Sequence, residues 1–239
     1  EAENGERQDG RNLIEEWLAN NKKSVFVSNA NQLNTVDAEN TQHLLGVFSD
    51  SHLNYETDRL LSPHDEPSLT AMVEAALRIL QQHKRFLLIV ESGRIDHAHH
   101  AGNAYRALEE TVEFDNAIKR ASELIDANKT LMIVTADHSH TLTLAGYPTR
   151  GNPILGFVKG NDKNGNPQQT LSLAKDDQPY TTLSYANGKG HFMLNDDTES
   201  HSHTRWKSPP IAGRHTTIND NPQSPHYYQE ANVPLQSET

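Results

Sequence analysis

Two apolar runs that each lead into acidic and histidine side chains constrain this chain more than any other feature. The first lies in FLLIVESGRIDHAHH (residues 86–100), where five apolar residues precede Glu91 and Asp96. The second, LMIVTADHSH (residues 131–140), repeats the pattern and leads into an Asp-His pair. Unbroken apolar runs of this length are typical of strands buried on both faces of a parallel sheet. Because open α/β sheets bind ligands at the carboxyl ends of their strands, we expect these polar side chains to lie close together.

Predicted helices and strands alternate through the first two thirds of the chain. Apolar residues recur at helical spacing over residues 69–80, and Pro67 with two acids before it fits a helix start. A second helix is predicted over residues 97–125, and short strands over residues 24–27 and 43–48. This alternation indicates an α/β fold with a central, largely parallel β-sheet flanked by helices.

The chain changes character after residue 153. Residues 154–232 are polar and rich in turn-forming side chains, with short strands predicted only at 181–185 and 191–194. We therefore predict an α/β core over residues 1–153, a surface insertion or subdomain over 154–232, and the start of a return to the core over 233–239.

The composition excludes several classes of protein and site. The 239 residues include no cysteine, so disulfides and thiolate metal sites are excluded. The net charge of -11 argues against nucleic acid as a binding partner, because no basic stripe is present to neutralise phosphates. No apolar run approaches the length of a membrane span, so we predict no transmembrane segment, and the N-terminus lacks the features of a signal peptide.

The acidic and histidine residues form a candidate metal site. Asp96 and His100 are four residues apart, so they share one face at the start of a helix. Asp137 and His138 can both reach one centre if the strand bends where it ends. Zinc accepts carboxylate and imidazole ligands, whereas the hard oxygen of Glu91 suits magnesium.

Each of these motifs also has an ordinary structural explanation. An aspartate and a histidine four apart on a helix are commonly a surface ion pair, and an aspartate after a strand is commonly a helix cap. The repetition after two strongly apolar strands favours metal binding. Two ions about 3.5–4 Å apart would stabilise both the attacking and the leaving oxygen of a displacement at phosphorus, which indicates phosphoryl transfer or hydrolysis.

The motifs resemble those of the alkaline phosphatase family. The matching stretches are VESGRIDHAHHAGNAYRALEETVEFDNAIKRA (residues 90–121) and VTADHSHTLTLAGYPTRGN (residues 134–152), with shorter matches at 9–18, 44–56 and 233–239. The resemblance implies the fold of that family and a phosphate monoester hydrolase that uses a zinc pair and magnesium. It also implies small phosphate monoesters and inorganic phosphate as ligands, a homodimer, and a periplasmic or extracellular location.

The resemblance assigns the metal ligands by position. Asp96 and His100 match ligands of the first zinc, and Asp137 and His138 match ligands of the second. Glu91 matches the magnesium ligand.

The resemblance also assigns positions around these ligands. His97 stands where the family places a residue beside the bound phosphate. His140 stands where the family places a histidine that contacts the zinc ligand Asp96 without binding the metal itself. Animal members carry a calcium site near the regions that match FSDS (residues 48–51) and PHDEPS (residues 63–68). Glu66 matches one of its acidic residues, but Ser49 replaces another, so the resemblance leaves calcium open.

Some parts of the family pattern have no counterpart here. We expect the serine nucleophile upstream of Glu1 and a further zinc histidine just beyond Thr239, so the chain is expected to be an internal fragment that is inactive alone. Two alternatives stay open. One is a phosphodiesterase or phosphomutase of the same superfamily, and the other is a secreted metal-binding protein without catalysis.

Overall fold

A computed structural model of the chain describes residues 7–62, 65–174, 177, 179–188, 221–229 and 231–234. The helices are α1 (Leu13–Asn20), α2 (Ala30–Asn34), α3 (Glu56–Arg59), α4 (Leu69–Leu80), α5 (Arg94–His100) and α6 (Ala104–Leu124). The strands are β1 (Ser24–Val27), β2 (His43–Gly46), β3 (Leu142–Leu144), β4 (Leu183–Gly188) and β5 (Ala231–Pro234). They fall into two compact units, one of Glu1–Ser92 and Thr111–Ile133, the other of Gly93–Glu110 and Val134–Thr239.

The first unit contains a parallel strand pair and the helix that the sequence predicts most clearly. β1 pairs in parallel with β2, with Val25 opposite Leu44. α4 occupies residues 69–80 as predicted. Its N-cap is Ser68, whose Oγ accepts a hydrogen bond from the backbone N–H of Ala71 at 3.2 Å. The parallel pair and the surrounding helices agree with the predicted α/β class.

The apolar run at residues 86–90 packs against helices on one face only, where its side chains are partly buried. Phe86, Leu88 and Val90 pack against α4 and the C-terminal part of α6, whereas Leu87 and Ile89 are each 82% exposed. The prediction that this run is a strand buried on both faces is wrong. Within the described residues helices cover only one of its faces, and it belongs to no strand there. The side chains of residues 131–134 are exposed, so the second apolar run is not buried on both faces either.

The predicted continuous helix over residues 97–125 is also wrong, because the chain forms two helices there. Gly102 adopts a positive φ of 66°, which ends α5. The N–H of Gly102 donates to the carbonyl of His99 at 2.8 Å, and the N–H of Asn103 donates to that of Ala98 at 2.9 Å, which is the Schellman pattern. The side chain of Asn103 then accepts an N–H from the first turn of α6 at 3.0 Å.

The second unit is built around β4. This strand runs antiparallel to β3, with Tyr185 opposite Leu142, and parallel to β5, with Tyr185 opposite Ala231. Ala104, Leu183, Tyr185 and Ala231 form the buried cluster on which α6 packs. A strand is therefore present near the predicted position 181–185, displaced toward its C-terminal side.

The domain bounds predicted from the sequence remain a prediction. The two compact units do not follow them, since α5 and the start of α6 group with residues 134–239. The strand predicted at 191–194 lies outside the described residues. In the described parts of the chain, no helix combines the length and the apolar character needed to cross a membrane.

The one-sided packing at residues 86–90 predicts a difference between two adjacent leucines. Leu88→Ala should lower the free energy of unfolding by about 2 kcal/mol, because it leaves a cavity against α4 and α6. Leu87→Ala is the matched control and should change it by less than about 0.5 kcal/mol, because its side chain is in solvent. Urea unfolding of both variants measures the difference. Equal losses would show that the open face of this run is covered in solution.

Candidate metal centre

The side chain of Asp96 lies at the centre of a group of imidazoles in the second unit. α5 places His100 one turn after it, with His100 Nε2 3.3 Å from Asp96 Oδ1. The segment after residue 134 brings His138, whose Nε2 lies 3.5 Å from the same oxygen. Asp137 Oδ2 lies 3.5 Å from His138 Nε2, and the side chain of Asp137 is 88% exposed. The structure therefore brings together four of the residues that the sequence motifs single out.

The distances between these atoms match the spacing that a zinc ion imposes on its ligands. Four ligands at 2.0–2.2 Å in a tetrahedron are separated from one another by about 3.3–3.6 Å. The Asp96–His100, Asp96–His138 and Asp137–His138 separations all fall in this range. They are also longer than an ordinary N–H···O hydrogen bond. The carboxylate and imidazole donors thus fit zinc in both chemistry and spacing.

His140 makes a closer contact than the other two histidines. Its Nε2 lies 2.8 Å from Asp96 Oδ1, which is a hydrogen-bond distance, and its side chain is largely buried. Asp96, His138 and His140 also offer ligand atoms that all lie within 4.8 Å of one another, so the three could hold an ion together. The short contact favours a supporting role for His140, in which it orients the carboxylate of Asp96.

His99 takes part in this group, although the sequence motif gave it no role. Its ring stacks on that of His140, with centroids 4.7 Å apart and an interplanar angle of 25°. Its Nδ1 lies 2.9 Å from the hydroxyl of Tyr185, in β4. Since Tyr185 is 86 positions away in the chain, no local pattern could have revealed the contact. In the sequence, His99 was marked only by its place among three histidines within four residues.

Burial and neighbouring charges move the pKa values of these histidines in opposite directions. Burial, and then the proximity of His140, lowers the pKa of His99 to about 4, so its ring is neutral near pH 7. The pKa of His138 is raised, first by a hydrogen bond to the carbonyl of Ser139 and then by the charge of Asp137. The acidic side chains around His138 therefore favour a positive charge at this position, whether a proton or a metal ion supplies it.

The remaining predicted site residues have their own surroundings. Arg94 Nη1 lies 3.1 Å from His97 Nδ1 within α5. Glu91 is exposed and belongs to the first unit. Glu66, also in the first unit, is buried, and its Oε2 accepts a hydrogen bond from the backbone N–H of Asn54 at 2.9 Å. The phosphate, magnesium and calcium roles of these three side chains remain predictions.

Comparisons with known proteins agree with the motifs. The profile of the alkaline phosphatase family matches residues 1–239. The alkaline phosphatase of Gadus morhua is 37% identical over 238 residues, which cover 98% of this chain and 44% of that protein. The tissue-nonspecific isozyme of alkaline phosphatase from Homo sapiens is 39% identical over 200 residues, which cover 82% of this chain and 36% of that protein.

Among solved structures, the alkaline phosphatase of Thermus thermophilus is 36% identical with a TM-score of 0.46, over 51% of this chain and 25% of that one. The chain spans less than half the length of these relatives. The match of the family profile to the whole chain, together with relatives near 40% identity, shows that this α/β chain belongs to the alkaline phosphatase family.

Proposed function

We propose that this chain supplies the metal-binding part of a phosphate monoester hydrolase. The observation that carries the proposal is the pairing of each aspartate with an imidazole. His100 Nε2 lies 3.3 Å from Asp96 and His138 Nε2 lies 3.5 Å from Asp137, which are the separations that one zinc imposes on two of its ligands. Family membership gives this centre a phosphatase context. Small phosphate monoesters are the proposed substrates, and inorganic phosphate is the proposed product.

The proposed ligand assignment follows the sequence motifs. Asp96 and His100 hold the first zinc, Asp137 and His138 hold the second, and Glu91 holds magnesium. When bound, such ions neutralise charge on the phosphoryl oxygens and lower the pKa of a coordinated water.

The chain's own residues orient this centre and the phosphate. The hydrogen bond from His140 keeps the carboxylate of Asp96 in one rotamer, which presents its oxygens at a fixed position. His97 is proposed to face the phosphate. The guanidinium of Arg94 lies at hydrogen-bond distance from the Nδ1 of His97 and would add positive charge beside the phosphate. The serine nucleophile is proposed to lie outside these 239 residues.

Other parts of the proposal concern the whole protein. A homodimer and a periplasmic or extracellular location are proposed from the family resemblance. One relative, from Bombyx mori, is named a membrane-bound alkaline phosphatase. A calcium site that includes Glu66 is a further proposal, for which Glu66 offers a buried carboxylate with one backbone partner.

Asp96→Asn tests the metal centre. The substitution removes the charge that the three imidazoles surround, so zinc affinity should fall by at least about 10-fold. Competition with a chromophoric chelator measures the dissociation constant. Asp177→Asn is a matched control in the same unit, because Asp177 is exposed and asparagine tolerates its φ of 60°. Equal zinc affinity in Asp96→Asn and the control would contradict the assignment.

Two p-nitrophenyl esters test the reaction class. Because the nucleophile is proposed to lie elsewhere, the 239 residues alone should not hydrolyse p-nitrophenyl phosphate. A longer protein that contains them should hydrolyse this monoester, with zinc, faster than bis-p-nitrophenyl phosphate. Zinc-dependent turnover by the 239 residues alone would refute the placement of the nucleophile. Faster turnover of the diester would indicate a phosphodiesterase. Zinc binding without any turnover in the longer protein would indicate a metal-binding protein without catalysis.

A further inference from the structure

The hydroxyl of Tyr185 lies at the end of a chain of contacts that leads to Asp96. Tyr185 contacts Nδ1 of His99 at 2.9 Å, and the ring of His99 stacks on that of His140. His140 in turn contacts Asp96 Oδ1 at 2.8 Å. All four side chains belong to the second unit. Tyr185 lies in residues 154–232, the segment that the sequence predicts to be a surface insertion.

The strands hold Tyr185 at a fixed position. Its side chain is 1% exposed and belongs to the buried cluster that β4 shares with α6 and β5. β4 pairs Tyr185 with Leu142 of β3, two residues after His140. The backbone that carries His140 and the backbone that carries Tyr185 are therefore tied to one sheet. Burial also raises the pKa of Tyr185, so its hydroxyl keeps its proton.

The ring of His99 depends on Tyr185 more than the ring of His140 does. The only described polar side chain that hydrogen-bonds to the ring of His99 is Tyr185. His99 covers one face of His140, while His100 and His138 meet its ring edge-on with centroids 5.0 Å apart. Removing the Tyr185 hydroxyl leaves Nδ1 of His99 without this partner in a partly buried position, and the ring then gains freedom to turn.

The same segment also holds the end of α5. The N–H of Gln229 donates to the carbonyl of Gly102 at 2.9 Å, and the N–H of Ala104 donates to Oε1 of Gln229 at 2.7 Å. Asn103 Nδ2 donates to the carbonyl of Pro225 at 2.7 Å. Gln229 and Asn103 are both buried. Residues 225–229 thus fix the junction that follows α5, the helix that carries Asp96 and His100.

We propose that Tyr185 is a positioning residue for the metal centre, which it orients through His99 and His140, and that the segment around β4 sets the geometry of metal binding. The part of this inference that concerns metal rests on the proposed function. The part that concerns ring orientation applies to the metal-free chain as well.

Tyr185→Phe tests the inference, because it removes one hydroxyl and keeps the ring that packs in the sheet. Zinc should bind about 10-fold more weakly, at the lower end of the effect of removing a partner of a metal ligand. Tyr180→Phe is the matched control in the same unit and should bind zinc as the unsubstituted chain does. In the metal-free chain, NMR should show weaker nuclear Overhauser effects between the rings of His99 and His140 in Tyr185→Phe only.

A double-mutant cycle separates positioning from a general loosening of the fold. In His99→Phe the ring can still stack on His140, but it has no nitrogen for Tyr185 to contact. Adding Tyr185→Phe to this variant should therefore change zinc affinity by less than 2-fold. A full 10-fold loss in the His99→Phe background would overturn the inference, since the hydroxyl would then act by another route.

The outcomes also separate this inference from the proposed function. If the unsubstituted chain binds no zinc while Tyr185→Phe disturbs the His99–His140 contact, the proposed function fails and the positioning of the rings stands. If the chain binds zinc and Tyr185→Phe changes neither the zinc affinity nor the ring contact, the inference is overturned and the proposed function stands.

Discussion

In the second unit, imidazole nitrogens of three histidines approach the same carboxylate oxygen of Asp96. The Nε2 atoms of His100, His138 and His140 lie 3.3, 3.5 and 2.8 Å from Asp96 Oδ1. A carboxylate oxygen can accept about two hydrogen bonds, and only the contact from His140 has the length of one. The other two imidazoles are placed beside the carboxylate without a good hydrogen bond to it. In the proposed function, metal ions between these donors would stabilise the arrangement by compensating the charge of Asp96.

The support for this arrangement comes from secondary structure that is distant in sequence. The Schellman pattern at Gly102 fixes where α5 ends, and the sheet of β3, β4 and β5 fixes the backbone beyond His140. The buried hydrogen bonds of Asn103 and Gln229 connect these two supports. Of the candidate metal ligands, Asp96 and His100 lie on α5, whose end is held by these buried polar contacts, and Asp137 and His138 lie in the segment that leads into β3.

The sequence predicted those features whose cause is local. Helix α4 follows from the spacing of its apolar residues, and the proximity of Asp96 and His100 follows from helical geometry. The burial of residues 86–90 was overestimated, because an apolar run does not reveal how many of its faces other elements cover. The break at Gly102 left a local signal, a glycine followed by asparagine, which helical spacing on both sides concealed. The role of Tyr185 depends on a side-chain contact with His99, 86 residues away in the chain, and has no local signal.

Asn103 belongs to two structures at once, because its backbone closes the last turn of α5 and its side chain opens the first turn of α6. The two caps overlap in a junction only three residues long, so the number of residues there is fixed as well as their identity. An inserted or deleted residue would turn α6 by about 100° relative to α5, since a helix makes one turn in 3.6 residues. The turn at residues 162–166 is exposed and closed by its own local hydrogen bonds, and it can change length without such an effect. Variation in length among related chains is therefore expected in that turn, whereas the junction between the two helices should vary only by substitution.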